Sequence, residues 1–392
     1  MTDLTPQEPP HAGGSNGPIR YGMIGTGMMG TEHIHNINAI DGADVVSISD
    51  PHPDSLDTGR TAVADGRDPG DVPPEVAAFA DHRDLLAAGE VDAVVISSPN
   101  HTHRAVLEDV LSTGVHVLIE KPLCTTVQDC LAVADLVAAT APQFPDRVVQ
   151  VGLEYRYMPP VAHLIEQVAG GAVGGVRMVA IREHRFPFRV KVGDWNRLSA
   201  NTGGTLVEKC CHFFDLMNLV LDERPARVMA SGAQDVNHLD EVYDGRPSDI
   251  LDNAYVIVEY PSGRRAMLDL CMFAEATRYQ EEISVVGDAG KVEAFLPEGV
   301  FRLGVRGEHW VGDVADQKVD DSHIAYQGLH HGSSYLEHLD FIAAIEGRAE
   351  VPVTIEDGLW SVAMGVAAHR SIEEGRAVDL AEVMERTEED AR

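Results

Sequence analysis

The chain has 392 residues, enough for two domains with substantial buried cores. With 30 Lys and Arg against 63 Asp and Glu, its net charge is −33, which argues against nucleic acid or an anionic membrane as a partner. No apolar run reaches transmembrane length, and five cysteines (Cys124, Cys130, Cys210, Cys211, Cys271) without disulfide-like spacing point to a reducing, cytoplasmic setting.

Residues 1–18 hold Gly, Pro, Ser and Asn with no apolar h-region, and read as a disordered tail, not a signal peptide. Ile19 to Ile24 is an apolar run that meets the turn Gly25-x-Gly27-x-x-Gly30. A helical pattern follows, with Ile34, Ile37 and Ile40 on one face. Strand, glycine turn and helix in this order are the context of a dinucleotide site. Gly25 permits the tight turn, Gly27 lets backbone approach a pyrophosphate, and Gly30 lets the helix pack on the strand. Met28 and Met29 open that helix, whose N-terminus would face the phosphates. A second strand, Val45 to Ser49, ends in Asp50, twenty residues after Gly30. A carboxylate there accepts ribose hydroxyls and repels a 2′-phosphate. Residues 51–53 offer no Arg to receive one, so the sequence favours NAD over NADP.

Further strands are expected at Ala93–Ser97, His116–Glu120 and Val148–Val151, with helices at 104–112 and 126–139. Successive βα units of this kind predict a doubly wound parallel sheet over residues 19–152. The loop Ser98-Pro99-Asn100-His101-Thr102-His103 and the tripeptide Glu120-Lys121-Pro122 both fall at strand C-termini, the ligand edge of such a sheet. Pro122 stops the strand and leaves Lys121 pointing into the crevice. The pairs His33/His35 and His101/His103 sit at helix starts, where a shared metal is not expected.

From residue 153 to 380 the pattern becomes α+β. Strand-like runs follow one another at 176–186, 226–235, 254–260, 265–273, 280–286 and 291–295, with hairpin turns at Pro261–Gly263 and Gly287–Gly290. One helix is expected from Gly204 to Leu221 and two more near 334–345 and 356–374, before a charged tail at 381–392. On the first of these, Glu208 and His212 are spaced i, i+4 and share a face, with Asp215 nearby. A carboxylate beside an imidazole orients it and raises its basicity.

Gly25-x-Gly27-x-x-Gly30, Glu120-Lys121-Pro122 and Gly203-Gly204…Glu208-x-x-x-His212-x-x-Asp215 occur in that order. Together they resemble the Gfo/Idh/MocA oxidoreductases. The resemblance spans Ile19 to about Val378. It implies an α/β Rossmann domain plus an α+β domain with an open-faced, mainly antiparallel sheet, used for homodimer or homotetramer assembly. It also implies hydride transfer between NAD(P) and a sugar, inositol or related cyclic polyol. Lys121 would match the family's active-site lysine and His212 its catalytic base. The family's carboxylate four residues before that His is commonly Asp; here it is Glu208. Lys209 beside it adds a cation.

Six basic residues (Arg177, Arg182, Arg185, Arg189, Lys191, Arg197) fall within 21 positions just before this cluster, against 30 in the whole chain. They suggest an anionic sugar, with Phe186, Phe188 and Trp195 available to stack on a ring and Tyr155 at hand; a subunit interface or salt bridges to acidic neighbours would account for them equally. The expected activity is that of an NAD-dependent dehydrogenase of a cyclic polyol or pyranose. The alternative is a glycosidase that retains its NAD, oxidises C3 transiently and ends redox-neutral, for example on sulfoquinovosides. Glu208, Lys209 or Tyr155 would then be the extra acid/base. A non-catalytic NAD-binding protein would be favoured by loss of Lys121 or His212, and both are present.

Overall fold

The computed structural model describes residues 17–65 and 76–386, so most of the expected N-terminal tail and residues 387–392 lie outside the described residues. Strands β1 (Ile19–Ile24), β2 (Ala43–Ser49), β3 (Ala77–Phe79), β4 (Ala93–Ile96), β5 (His116–Glu120) and β6 (Val149–Gly152) form a six-stranded sheet in the order β3-β2-β1-β4-β5-β6. Every neighbouring pair is parallel. Helices α1 (Met28–Asn38), α2 (Pro53–Ala64), α3 (His82–Ala88), α4 (His103–Leu111) and α5 (Val127–Thr140) make the crossovers. β4 is buried at all four positions, as the unbroken apolar run requires of a strand covered on both faces. Strand order reverses between β1 and β4, which opens a crevice at their C-terminal ends.

The glycine turn is sterically closed to side chains. Gly25 has φ +95°, and a Cβ there would come 2.7 Å from the Ser98 N. A Cβ on Gly30 would lie 2.1 Å from the Gly25 carbonyl oxygen, so α1 approaches β1 only because that position is bare.

Helix α6 (Pro159–Ala169) then leads into the second layer. It was not expected from sequence, although Pro159 at its first turn and Val161, Leu164 and Val168 at helical spacing mark it. After it come β7 (Val176–His184) and three helical segments, α7 (Ser199–Thr202), α8 (Thr205–Glu208) and α9 (Cys211–Leu221). The single helix expected over 204–221 is therefore broken at Lys209-Cys210. The strands that follow are β8 (Arg227–Ala233), the short pair β9 (Val242–Tyr243) and β10 (Arg246–Pro247), β11 (Asn253–Glu259), β12 (Arg265–Cys271), β13 (Glu281–Gly287), β14 (Gly290–Leu296), β15 (Val300–Val305), β16 (Gln317–Lys318) and β17 (Val378–Asp379). A nine-stranded sheet runs β16-β15-β14-β13-β7-β12-β11-β8-β17. β7 pairs parallel with β12, and the other pairs are antiparallel.

One face of this sheet carries the core and the other is open. On β11, Ala254, Val256 and Val258 are buried, while Tyr255 and Ile257 are 64% and 51% exposed. Ile257 stands in register with Met229 on β8 and Met267 on β12, so an apolar row crosses the open face.

Helices α10 (Ser333–Ile345), α11 (Ile355–Glu374) and α12 (Leu380–Met384) complete the chain. Residues 381–384, expected in the charged tail, are thus helical: Asp379 and Glu382 form a reciprocal capping box. Helix α10 returns to the first sheet, where Tyr335, Phe341 and Ile342 share a core with Tyr21, Ile34 and Ile37.

Asp215 is a structural tie in this assembly, not a companion of His212. Its two oxygens accept from Arg156 Nε (2.6 Å) and Nη2 (2.5 Å), and Arg156 also reaches the Pro352 carbonyl (2.8 Å). Replacing Arg156 by Leu strands the buried Asp215 charge and is expected to cost about 3–5 kcal/mol of folding stability, read from urea midpoints.

Candidate active site

A cleft of about 730 Å³ occupies the crevice at the ends of β1 and β4. Gly25, Gly27, Met28, Met29, Asp50, Ser98, Pro99, Asn100, Glu120 and Lys121 all line it. A Cβ on Gly27 would meet nothing within 4 Å, so this backbone lies open to a bound group. The residue before α1, Gly27, offers no side-chain cap, and the first turn holds no acidic residue. Its free N–H groups suit a pyrophosphate. The residues present therefore fit a dinucleotide.

Asp50 sits at the far end of the cleft. Its carboxylate accepts from the Thr26 N–H and the His52 N–H, both at 2.9 Å, which fixes it against the glycine turn. Arg83, beyond β3, lines the same end and is held by Asp109 at 2.9 Å. Arg83 is not evident from the 51–53 segment after β2, because it arrives from another βα unit.

Two other expected cofactor contacts are supports behind the wall. Gly30 closes on the Gly25 carbonyl. His103 is buried, with Nδ1 2.9 Å from the Pro122 oxygen and Nε2 3.1 Å from the Ser98 oxygen, so it links the loops after β4 and β5. Similarly His33, within α1 and not at its start, bonds Glu120 (2.9 Å) and His338 (2.9 Å). Among the described residues no group of three or more His, Cys, Asp or Glu is placed to hold a metal.

Lys121 reaches from the end of β5 to the second layer, where Nζ donates to the Glu208 carbonyl at 3.2 Å. A continuous helix would have used that carbonyl for the His212 N–H; the chain breaks at Lys209-Cys210 instead. The break separates Glu208 from His212. The Glu208 carboxylate pairs with Lys191 at 3.3 Å. The carboxyl nearest His212 is Glu154, with Oε1 3.6 Å from Nε2. Glu154 lies two residues beyond β6 at the sheet's ligand edge, a position that could have flagged it. A lone Glu carries no spacing pattern, and it went unread.

His212 is buried and stacks on Tyr155, with ring centres 4.2 Å apart and planes at 14°. Burial pushes its pKa well below the usual histidine value, and the cations Lys121, Lys209 and Arg185 push the same way. It is therefore a neutral imidazole able to accept a proton. For Lys121 burial works against the charge, but Cys211, Glu120, Glu154 and Glu208 outweigh it and raise its pKa, so it is a cation. Lys209 donates to the Tyr155 hydroxyl (2.6 Å) and pairs with Glu183 (2.9 Å), while Tyr155 donates to Glu281 (3.2 Å). Burial lowers the pKa of Lys209 despite Glu183. Lys209 and Tyr155 thus form a buried platform beneath His212.

The basic segment is mostly neutralised from within. Arg177 pairs with Asp288, Arg182 with Asp269, Arg185 with Glu183, Lys191 with Glu208 and Arg197 with Glu241. Arg189 alone of the six has no ion pair among the described residues; it is exposed and lies over Phe186, which also carries Arg185. Phe188 packs against the core. Trp195 does line the cleft, beside Val190, Lys191 and Val192, with Lys191 over its ring at 4.6 Å.

Comparisons with known proteins agree with this fold. Residues 19–144 match the Gfo/Idh/MocA oxidoreductase family's NAD-binding Rossmann fold, and residues 165–380 match its C-terminal alpha/beta domain. The myo-inositol 2-dehydrogenase of Thermotoga maritima is 29% identical over 368 residues, covering 93% of this chain and all of that protein. The inositol 2-dehydrogenase of Rhizobium meliloti is 27% identical, covering 93% and 99%. The crystal structure of an oxidoreductase from Agrobacterium radiobacter, in complex with NAD+, L-tartaric acid and magnesium, shares the fold with a TM-score of 0.74 at 18% identity, covering 93% of this chain and 99% of that one. With both domain profiles matched in order on one chain, the protein belongs to the Gfo/Idh/MocA family of oxidoreductases.

Proposed function

We propose that this protein is an NAD-dependent dehydrogenase of a cyclic polyol or pyranose. The observation that carries the reading is a buried, neutral His212 on a Tyr155 platform, behind a cleft whose mouth holds the Lys121 cation. A bound nicotinamide supplies the hydride acceptor. Lys121 hydrogen-bonds the reacting hydroxyl and stabilises negative charge on its oxygen as the proton leaves. His212 takes that proton as general base. Tyr155 and Lys209 hold the imidazole plane, and Trp195 offers an apolar face for a ring. Glu208, paired with Lys191, orders the loop at the cleft mouth and acts on substrate only through that loop. The relatives named for inositol support a cyclic polyol. The internal pairing of Arg185 and Lys191 leaves only Arg189 in support of an anionic sugar. The redox-neutral glycoside hydrolase finds no support among the relatives.

Asp50 supports NAD over NADP, since its carboxylate lines the cleft and stands where a 2′-phosphate would be repelled. The open sheet face supports a homodimer or homotetramer, because an apolar row of this kind is a liability on a monomer. Five free thiols, four of them buried, accord with a cytoplasmic setting. No helix of the described residues is long and apolar enough to cross a membrane.

The first test is oxidation of inositols, pyranoses, uronates and glycosides with NAD, followed by absorbance of the reduced cofactor and product analysis. Stoichiometric reduction with a ketone product is expected; glycoside cleavage without reduced cofactor would overturn the reading. His212→Ala and Lys121→Ala should each lower kcat by about 100-fold or more while changing NAD affinity little. Asp50→Ala should weaken NAD about tenfold in a fluorescence titration and narrow the gap to NADP. Ile257→Glu should shift the mass by light scattering toward the monomer; an unchanged oligomer would place the interface elsewhere.

A further inference from the structure

Glu154 is a buried carboxyl with no evident structural duty. Its Oε2 has no hydrogen-bond partner among the described residues, and neither do Nδ1 of His212 and Nδ1 of His330. Leaving such a group unsatisfied destabilises a fold, and an apolar side chain of similar size would fill the space without that penalty. Its Oε1 lies between two imidazoles, 3.6 Å from His212 Nε2 and 3.8 Å from His330 Nε2. The side chains of His212 and Glu154 are 2% and 3% exposed, whereas that of His330 is 26% exposed. Glu154 therefore lies between the buried base and a partly exposed imidazole whose Nδ1 is itself buried. Both gaps are a few tenths of an ångström longer than a hydrogen bond, within reach of a carboxyl rotation.

We propose that Glu154 is the proton reservoir of His212, receiving a proton from Nε2 and exchanging it with solvent past His330. This rests on the dehydrogenase reading above. In oxidation the substrate O–H bond breaks and its proton goes to the unpartnered Nδ1 of His212, while Nε2 carries the hydrogen that faces Glu154. The nicotinamide, when bound, would accept the carbon's hydrogen with its bonding pair as the C=O bond forms. The Nε2 proton then passes to Glu154 Oε1, which restores the neutral imidazole and leaves a carboxylic acid. That proton leaves past His330, so the turnover releases one proton overall. The reverse sequence serves ketone reduction. Glu154 and His330 are relay residues, and His212 remains the group that touches substrate.

The surroundings fit a group that changes its protonation. Facing Glu154 are His212 and Cys211 on α9, Lys209 before it, Glu120 and Lys121 at the end of β5, Glu337 on α10, His330 before α10, and Tyr155 beside it. Burial raises both Glu120 and Glu154. Glu120 is nevertheless held at about 2, because His33 and the Lys121 N–H bond it. For Glu154, burial and the charge of Glu120 outweigh its own backbone N–H and the cations Lys121 and Lys209, so it is pushed up to about 8. Below that pH it keeps its proton, and above it the carboxylate is free. Oxidation should therefore rise with pH through this region and reduction should fall. Glu120 and Lys121 line the cleft, and the cationic nicotinamide ring of NAD+, if held beside them, would favour loss of the proton from Glu154.

Two measurements on the full chain test this. In weakly buffered solution with a pH indicator, NAD+ binding should release protons near pH 8 in the wild type and not in Glu154→Gln. This readout needs no turnover, so it separates failure of the relay from failure of the dehydrogenase reading. With a polyol that is oxidised, Glu154→Gln should lower kcat about 100-fold, remove the ionisation near pH 8 from the kcat/KM profile and leave NAD affinity within about twofold. Glu154→Asp should keep the ionisation, and His330→Phe should lower kcat with partial rescue by added imidazole. Proton release and a pH profile unchanged in Glu154→Gln would overturn the proposal. If Glu154→Gln fails to bind NAD, the comparison is made on Glu154→Asp, whose profile must then retain the ionisation for the proposal to stand.

Discussion

The hydrogen bond from Lys121 to the carbonyl of Glu208 shapes the centre of this molecule. It spans from the parallel sheet to the helical segments that precede α9, and it takes a carbonyl that an uninterrupted helix needs for itself. The helix breaks where Lys209 turns inward to Glu183 and Tyr155. Because of that break Glu208 swings toward Lys191 while His212 is turned toward Glu154. The Lys121 cation at the cleft and the break that parts Glu208 from His212 thus meet at one carbonyl, which also accepts from Cys211 Sγ.

Around this contact lies an unusual density of buried charge. Glu120, Glu183, Glu281, Lys209 and Asp215 are all nearly inaccessible to water. Such groups are tolerated only when each meets a partner, and most do: Glu120 with His33, Glu183 with Lys209 and Arg185, Glu281 with Tyr155, Asp215 with Arg156. The net charge of −33 is therefore only partly a surface property. Satisfied pairs make a rigid frame. Glu154 and His212 each keep one buried polar atom without a partner, and they stand where chemistry is expected.

Local signals in the sequence were readable because local sterics produce them. The Gly25–Gly30 turn, the apolar strand runs and the placement of Lys121 after β5 depend on residues within a few positions of one another. The first strand was expected at Ile19–Ile24, and the structure places β1 there. What was not readable depends on distant partners. Helical spacing joined Glu208 to His212 because periodicity cannot show that a lysine 87 residues earlier takes the carbonyl. Which carboxylates pair the basic segment was not legible locally, because several come from elsewhere: Asp269 lies 87 positions from Arg182 and Glu241 lies 44 from Arg197. Arg83 and Glu154 went unread for the same reason, since each acquires meaning only from neighbours that the fold brings to it. Helix α6 is different: its Pro159 start and its apolar spacing were available in the sequence.

Helix α10 has a consequence for how the chain is made. It comes from residues 333–345, yet its Tyr335, Phe341 and Ile342 fill the core beside Tyr21 and Ile34. The Val353 carbonyl, just beyond, accepts from the Val151 N–H on β6. A ribosome-bound chain that has emerged through β6 lacks this cover and presents an apolar side of its nucleotide-binding sheet to water. Full covering of the first domain's core then waits for almost the whole polypeptide, although its six strands lie within the first 152 residues. Long-range closures of this kind slow folding and lengthen the interval in which sticky surface is bare. During synthesis, therefore, the window of greatest aggregation risk runs from the emergence of β6 to that of α10.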